Sequence, residues 1–224
     1  MRIISIKRGF ASDHSSTSYE FLAVDKVLNK KEKVEVAALS RRARPTSRRV
    51  SFVYHVDGYD IPSGWEELMD KYYDVMYRED YDWWTLALAF NTAQEQMVEL
   101  KKYDFIGEND LGVSVDSNGK RVVIAIYCRI NMAYALDTWD TYDEFEDEEG
   151  EEDGGGGVGF VVENELLNLL VQVRQQIIDR DYRALYAVWE KYGSIDYDDE
   201  FDVPVPPDKK IGSNIVKQFK NLLD

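Results

Sequence analysis

One stretch of the sequence limits the fold more than any other. Residues 137–153 carry eleven carboxylates and no basic side chain, and four glycines follow at 154–157. Like charges repel each other at this density, and so few apolar side chains cannot offset the conformational entropy lost on folding. We therefore expect residues 137–160 to be an acidic, glycine-rich disordered linker. It would divide the chain into an α/β domain at 1–136 and a C-terminal helical region at 161–224.

Before this linker, strand-like and helix-like apolar patterns alternate along the chain. Strands are predicted at 2–7, 19–24, 50–56 and 83–90, and helices at 29–40, at 63–77 and after Asn91. The pairs Ser63/Glu66 and Asn91/Gln94 have the spacing of capping boxes at the starts of the two later helices. The strongest local signal is Asn118-Gly119 between two apolar runs, which predicts a β-hairpin.

After the linker the pattern is helical. Leu166, Leu170, Val173 and Ile177 recur on one helix face, and a second helix through Leu185 should end at Gly193. A last helix is expected to start near Ser213, beyond an acidic and proline-rich tether. The predicted fold class is α/β (α+β): a mixed β-sheet with helices packed on one face, followed by a helical hairpin and a tethered last helix.

The single cysteine and the lack of long apolar runs limit the class of protein to which this chain can belong. Cys128 is the single cysteine, so a disulfide framework and a cysteine-based zinc site are both excluded. The first nine residues are too short and too charged for a signal peptide, and no run reaches the ~18 apolar residues of a membrane span. We expect a cytoplasmic protein with no membrane contact. Phosphate-binding glycine loops and metal-binding motifs are missing from the sequence, so no cofactor and no metal are predicted.

Charge is distributed unevenly along the chain. Residues 51–200 hold thirty-five acidic and eleven basic side chains, whereas residues 1–50 hold five acidic and twelve basic ones. A surface this acidic repels nucleic acid and anionic membranes and attracts basic proteins. A basic protein partner is therefore predicted, and homo-oligomer formation stays open.

The leading functional hypothesis comes from residues 54–84. They combine nine aromatic side chains and nine carboxylates with only two basic residues, a mixture that binds cations through ring faces and carboxylates together. Core packing with an acidic outer face is the competing interpretation. The hypothesis is a non-catalytic interaction or accessory protein, and the candidate partner-binding residues are Tyr59, Trp65, Tyr73, Tyr77, Trp83 and, on the last helix, Phe219.

An enzyme is the alternative from a different class. Asp13, His14 and Ser15 supply an acid, a base and a hydroxyl in one loop. Groups this close in sequence rarely converge into a catalytic triad, and a hydrogen-bonded turn explains the same residues. Together with the arginine loop described next, they would act on an anionic or phosphorylated substrate. His55, on a predicted strand, is interpreted as structural.

The arginine loop is the one concentrated basic feature, and its candidate anion-binding residues are Arg41, Arg42, Arg44, Arg48 and Arg49. Guanidinium groups bind phosphate and carboxylate bidentately. The loop could therefore bind a nucleotide or nucleic acid, grip the acidic linker of its own chain or of a second copy, or remain solvated. Nucleic acid is the least favoured partner, because no aromatic residues interleave the arginines to stack bases.

Overall fold

The computed structural model describes residues 17–41, 43–55, 60–139, 158–193 and 213–224. The strands are β1 (Thr17–Leu22), β2 (Arg49–Tyr54), β3 (Val75–Asp80), β4 (Trp83–Asn91), β5 (Phe105–Ile106), β6 (Gly112–Asn118) and β7 (Arg121–Cys128). The helices are α1 (Lys30–Ala38), α2 (Trp65–Lys71), α3 (Gln94–Lys101), α4 (Met132–Trp139), α5 (Val158–Ile178), α6 (Arg183–Tyr192) and α7 (Asn214–Leu222).

The strands form one seven-stranded sheet in the order β2-β1-β3-β4-β7-β6-β5. Every neighbouring pair of strands in it is antiparallel, so the sheet is not the mixed sheet that was expected. The α/β fold class and its C-terminal helices are confirmed. Short turns can join antiparallel neighbours, and this agrees with the hairpin signals in the sequence.

Helices cover both faces of the sheet, not one face as expected. On one face α3, α5, α6 and α7 share a hydrophobic core with Leu86 and Leu88 of β4. On the other face α1 and α2 pack with Ala87 and Ala89. Because side chains alternate between faces along a strand, β4 is apolar on both sides. Its alanines allow α2 to lie close across β4 and β7.

The helix predicted at 63–77 is shorter than expected, and its capping box is wrong. It spans Trp65–Lys71 with Gly64 as N-cap at φ 82° and without a side-chain cap. Ser63 itself has a φ of 71°. Residues from Val75 onward form β3 instead, because the backbone there gains hydrogen-bonded neighbours on both sides, β1 and β4.

Several other local predictions are confirmed. The strand at 83–90 exists, and the helix predicted at 29–40 spans Lys30–Ala38; a capping box between Asn29 and Glu32, which was not predicted, starts it. The Asn-Gly hairpin joins β6 to β7, with Gly119 at φ 63° in the turn. The second capping box is wrong: Asn91 ends β4, and the helix follows Ala93 without a side-chain cap.

The three C-terminal helices pack on the sheet and contribute to one of its two cores. The predicted strand at 2–7, the interior of the acidic linker and the proline-rich tether lie outside the described residues. The predicted domain boundaries therefore stay a prediction. No helix in the described ranges is long and apolar enough to cross a membrane.

The ladder between β1 and β3 identifies the two ends of the sheet. At one end Leu22 pairs with Val75, and α1 follows β1 there; we call this the α1 end. At the other end Thr17 pairs with Asp80, and the tight turn between β3 and β4 projects; we call this the hairpin end. The two candidate surfaces described below lie at opposite ends.

Candidate functional site

Most of the rings expected to form a binding face are in the core, which corrects that expectation. The buried candidates are Trp65, Tyr73, Tyr77 and Phe219. Because helices cover both faces of the sheet, neighbouring aromatic residues that point in opposite directions are both covered. Tyr59 lies outside the described residues. Trp83 alone among the six candidates is described as exposed.

Trp83 belongs to a small group at the hairpin end, residues 79–83, which we call the acidic hairpin; Glu79 and Asp80 in it are half-buried and residues 81–83 are exposed. Tyr81 and Trp83 are 44% and 39% exposed, and Glu79, Asp80 and Asp82 supply three carboxylates. Tyr81 adopts a left-handed conformation with φ 57°. The two-residue turn between Asp80 and Trp83 thus presents both rings beside carboxylates.

The indole of Trp83 already contacts a cationic side chain of the same protein. The guanidinium carbon of Arg129 lies 5.0 Å from the ring centroid, within the range of a cation–π contact. At the base of the hairpin, Arg78 donates to Asp80 over 2.7 Å and also lies over the ring of Tyr19, 5.7 Å from its centroid. This end of the sheet therefore binds guanidinium groups both through rings and through carboxylates.

Tyr19 links the hairpin end to a further carboxylate. Its hydroxyl donates to Asp60 over 2.5 Å. Burial, reinforced by this hydrogen bond, raises the pKa of Tyr19 well above its usual value. The phenol stays protonated as a donor, so it supports the Asp60 carboxylate without adding negative charge.

The arginine loop is less concentrated than its sequence suggests. Arg44 donates to the carbonyl oxygens of Arg41 and Ala43, each over 3.0 Å. Arg48 donates to two carbonyl oxygens at the end of β1, and Arg49 lies 3.6 Å from Glu20. Arg44, Arg48 and Arg49 thus have separate partners and do not converge on one anion, and Arg42 lies outside the described residues.

An open groove of about 570 Å³ lies between α1 and the arginine loop. Seven residues line it: Lys30, Lys33, Val34, Ala37, Ala43, Arg44 and Pro45. Three of them are basic, four are apolar and none is acidic. Val34 is 69% exposed. We call this feature the basic groove; its lining suits an anionic segment that also carries apolar side chains.

A buried charge cluster that was not predicted from the sequence lies at the α1 end. Asp74 accepts the backbone N–H groups of Val24 and Asp25 over 2.7 and 2.9 Å and an Arg121 N–H over 3.0 Å. Arg174 of α5 donates to the carbonyl of Ala89 over 2.8 Å and to the Asp25 carboxylate. Its hydrogen bonds join α5, the sheet and the chain that enters α1.

This cluster is structural in character. Its charges are paired, and the Arg121 Nε also donates to the backbone of Met69 over 2.8 Å. Two signals could have revealed it: a charged Arg174 within the apolar face of α5, and Asp74 between apolar neighbours.

The remaining reactive side chains within the described residues are Cys128 and His55. Burial raises the pKa of the Cys128 thiol far above its usual value, so the thiolate is not formed. His55 is exposed at the end of β2 and has an interaction partner. Asp13, His14 and Ser15 lie outside the described residues. Within the described ranges, no three His, Cys, Asp or Glu side chains are grouped to hold a metal.

Comparison of the chain with protein-family models, with curated proteins and with solved structures finds no match in any of the three. Function must therefore be argued from the two surfaces themselves.

Proposed function

We propose that this protein is a non-catalytic interaction protein that binds an arginine-rich segment of a partner at the acidic hairpin. The observation that carries the proposal is the exposure of Tyr81 and Trp83 beside three carboxylates. A cation over an exposed aromatic ring gains roughly 0.5–1 kcal/mol, and the carboxylates add charge-assisted hydrogen bonds. Arginine suits the surface better than lysine because its planar head both stacks and forks.

The internal contacts of the hairpin support this chemistry. Arg129 on Trp83 and Arg78 on Asp80 are guanidinium contacts that the chain makes with its own side chains. A partner segment would extend the same pattern over the exposed parts of the rings. The contacts are rim-like and solvated, so binding should weaken as salt rises, with charges screened over about 10 Å at 0.1 M.

A titration with a fluorescent arginine-glycine peptide tests the proposal. The variant Trp83→Ala/Asp82→Asn removes one ring and one charge from the hairpin. We expect its affinity for the peptide to fall about tenfold, from the combined loss of the ring and the charge contact. The matched control is Val98→Ala/Glu95→Gln on α3, which removes an exposed apolar side chain and an equal charge elsewhere.

The control decides between local recognition and bulk attraction. If both variants lose affinity equally, the net charge of −16 holds the peptide and the hairpin is not a site. If neither loses affinity, the proposal is wrong. A lysine-glycine peptide of the same charge should bind more weakly than the arginine peptide.

The second candidate is an enzyme that acts on an anionic or phosphorylated substrate. The basic groove has no acidic lining residue, which favours an anionic substrate over other substrate classes. Its acid–base group would be His14. Phosphatase, esterase and nuclease activity measured on wild type and His14→Ala tests it, since equal activity in both removes His14.

Loss of nucleic-acid binding on replacing the arginines of the loop would instead support a nucleic-acid accessory role.

A further inference from the structure

The basic groove is a second surface, distinct from the acidic hairpin and independent of the function proposed for it. The positively charged side chains Lys30 and Lys33 stand one helical turn apart on α1, and Arg44 faces them across the groove. Among the described residues none of these three forms an ion pair; the ion pairs near α1 are those of Lys26 with Glu32 and Lys31 with Glu35. The groove therefore offers three positive charges over an apolar floor.

A fitting occupant needs carboxylates interspersed with large apolar side chains. The chain itself contains such a segment. Residues 137–153 carry eleven carboxylates, no basic side chain and three aromatic residues, Trp139, Tyr142 and Phe145. Charges and apolar groups thus match the groove in kind, which is the complementarity that steers and selects partners at charged interfaces.

The fold places the two ends of this segment toward the hairpin end of the sheet, whereas the groove lies at the α1 end. The C-terminal part of α5 lies at the α1 end, because the carbonyl of Ile177 accepts from Gln96 and Arg174 binds Ala89. With 21 residues, α5 is about 31 Å long at 1.5 Å per residue. Its N-terminus, where the acidic segment enters, therefore lies toward the hairpin end, as does α4, which follows the last residue of β7, Cys128.

The covalent length makes docking within one chain costly. Residues 140–157 must leave α4 and return to α5, so their midpoint is about nine residues from either end, or at most about 30 Å when fully extended. The segment would also have to pass from one face of the sheet to the other, because α5 packs on one face and Val36 of α1 on the other. A second copy has no such limit.

We propose that the basic groove of one copy binds the acidic segment, residues 137–153, of a second copy. Groove and segment attach at opposite ends of the sheet, so each contact joins the α1 end of one copy to the acidic segment at the hairpin end of another. A single contact of this kind leaves a free groove on one copy and a free segment on the other, which either pair with each other to close a dimer or accept further copies. Association should rise with protein concentration and fall with salt.

Sedimentation velocity of the full chain at low and at moderate salt tests the proposal. The variant Lys33→Glu reverses one charge in the groove, and we expect the association constant to fall about tenfold, as like charges are brought together. The matched control Lys31→Glu reverses a charge on the same helix outside the groove and should leave association within about twofold, because its side chain is solvated. Circular dichroism verifies that both variants keep the fold.

Mixing two defective variants tests whether the groove of one copy and the acidic segment of another are the two halves of the contact. One variant carries Lys30→Glu/Lys33→Glu; the other has the carboxylates of 140–153 replaced by the corresponding amides. Each should remain monomeric alone, and their mixture should form a one-to-one complex through the intact groove of the second and the intact segment of the first. The proposal is overturned if wild type stays monomeric at low salt, if Lys31→Glu acts as strongly as Lys33→Glu, or if the mixture does not associate.

Discussion

Replacing Asp74 with alanine should destabilise the protein by about 4 kcal/mol, within the ~3–5 kcal/mol typical of breaking a buried ion pair. The Asp74 side chain is only 3% exposed. It accepts two backbone N–H groups, those of Val24 and Asp25, and an N–H of Arg121. Alanine would leave these donors without an acceptor, and each buried donor left unsatisfied costs roughly 1–3 kcal/mol.

The companion variant Arg174→Met should cost less, about 1–2 kcal/mol, which corresponds to the loss of one or two hydrogen bonds. Asp74 would keep its two backbone donors and Arg121. The Asp25 side chain is 54% exposed, so water can replace the lost guanidinium. Methionine also retains most of the apolar stem that packs within the helix layer.

Urea denaturation followed by tryptophan fluorescence measures both free energies of unfolding. For a chain of this size, about 4 kcal/mol corresponds to a Tm lower by about 8–16 °C. The double variant should lose less stability than the sum of the two single losses, since the partners are coupled. An Arg174→Met variant that is as unstable as Asp74→Ala would refute the reasoning. It would mean that the contacts of Arg174 stabilise the fold as much as those of Asp74.

Two further predictions concern the core. Phe219→Ala should lower the free energy of unfolding by about 3–5 kcal/mol, since Phe219 is fully buried in the core beneath α7, and denaturant titration checks it; a cost under about 1 kcal/mol would mean that α7 is not docked. Burial raises the pKa of Tyr103 to about 12, so the unfolded chain ionises first, and the stability this phenol contributes is present below about pH 10 and lost as the pH rises to 12. Tyrosinate absorbance should therefore rise together with the loss of helical circular dichroism, and ionisation of all tyrosines near pH 10 in a folded protein would contradict this.

The sequence predicted those elements whose signals are local. The hairpin around Gly119 is set by a turn that needs a positive φ, and α5 and α6 are set by long apolar faces, so each could be read without knowing its neighbours. The prediction of a helix at 63–77 was wrong beyond Lys71 because the structure there depends on pairing with other strands. Its helical spacing continued past Lys71, but β1 and β4 offered the backbone a second set of partners that no local pattern records.

The candidate surfaces were predicted less well than the fold. Composition alone indicated an acidic aromatic region, but exposure depends on which faces are covered, and helices on both sides of the sheet buried Tyr73 and Tyr77. Trp83 remains exposed because it lies next to the tight turn between β3 and β4, at the end of the sheet. The basic groove required α1 and the arginine loop to be placed side by side, which is a tertiary fact.

The charge cluster and the basic groove are connected through one short piece of chain. The segment between β1 and α1 is held by the backbone N–H groups of Val24 and Asp25 on Asp74, and by the bond from Arg174 to the Asp25 side chain. The capping box of Asn29 then starts α1 only four residues later. The orientation of Lys30 and Lys33 is therefore fixed to α5 and the sheet by buried charges. The acidic hairpin, by contrast, is held by the β1–β3 and β3–β4 ladders and by the contact of Arg129 with Trp83, so the two surfaces depend on separate parts of the structure and can be altered one at a time.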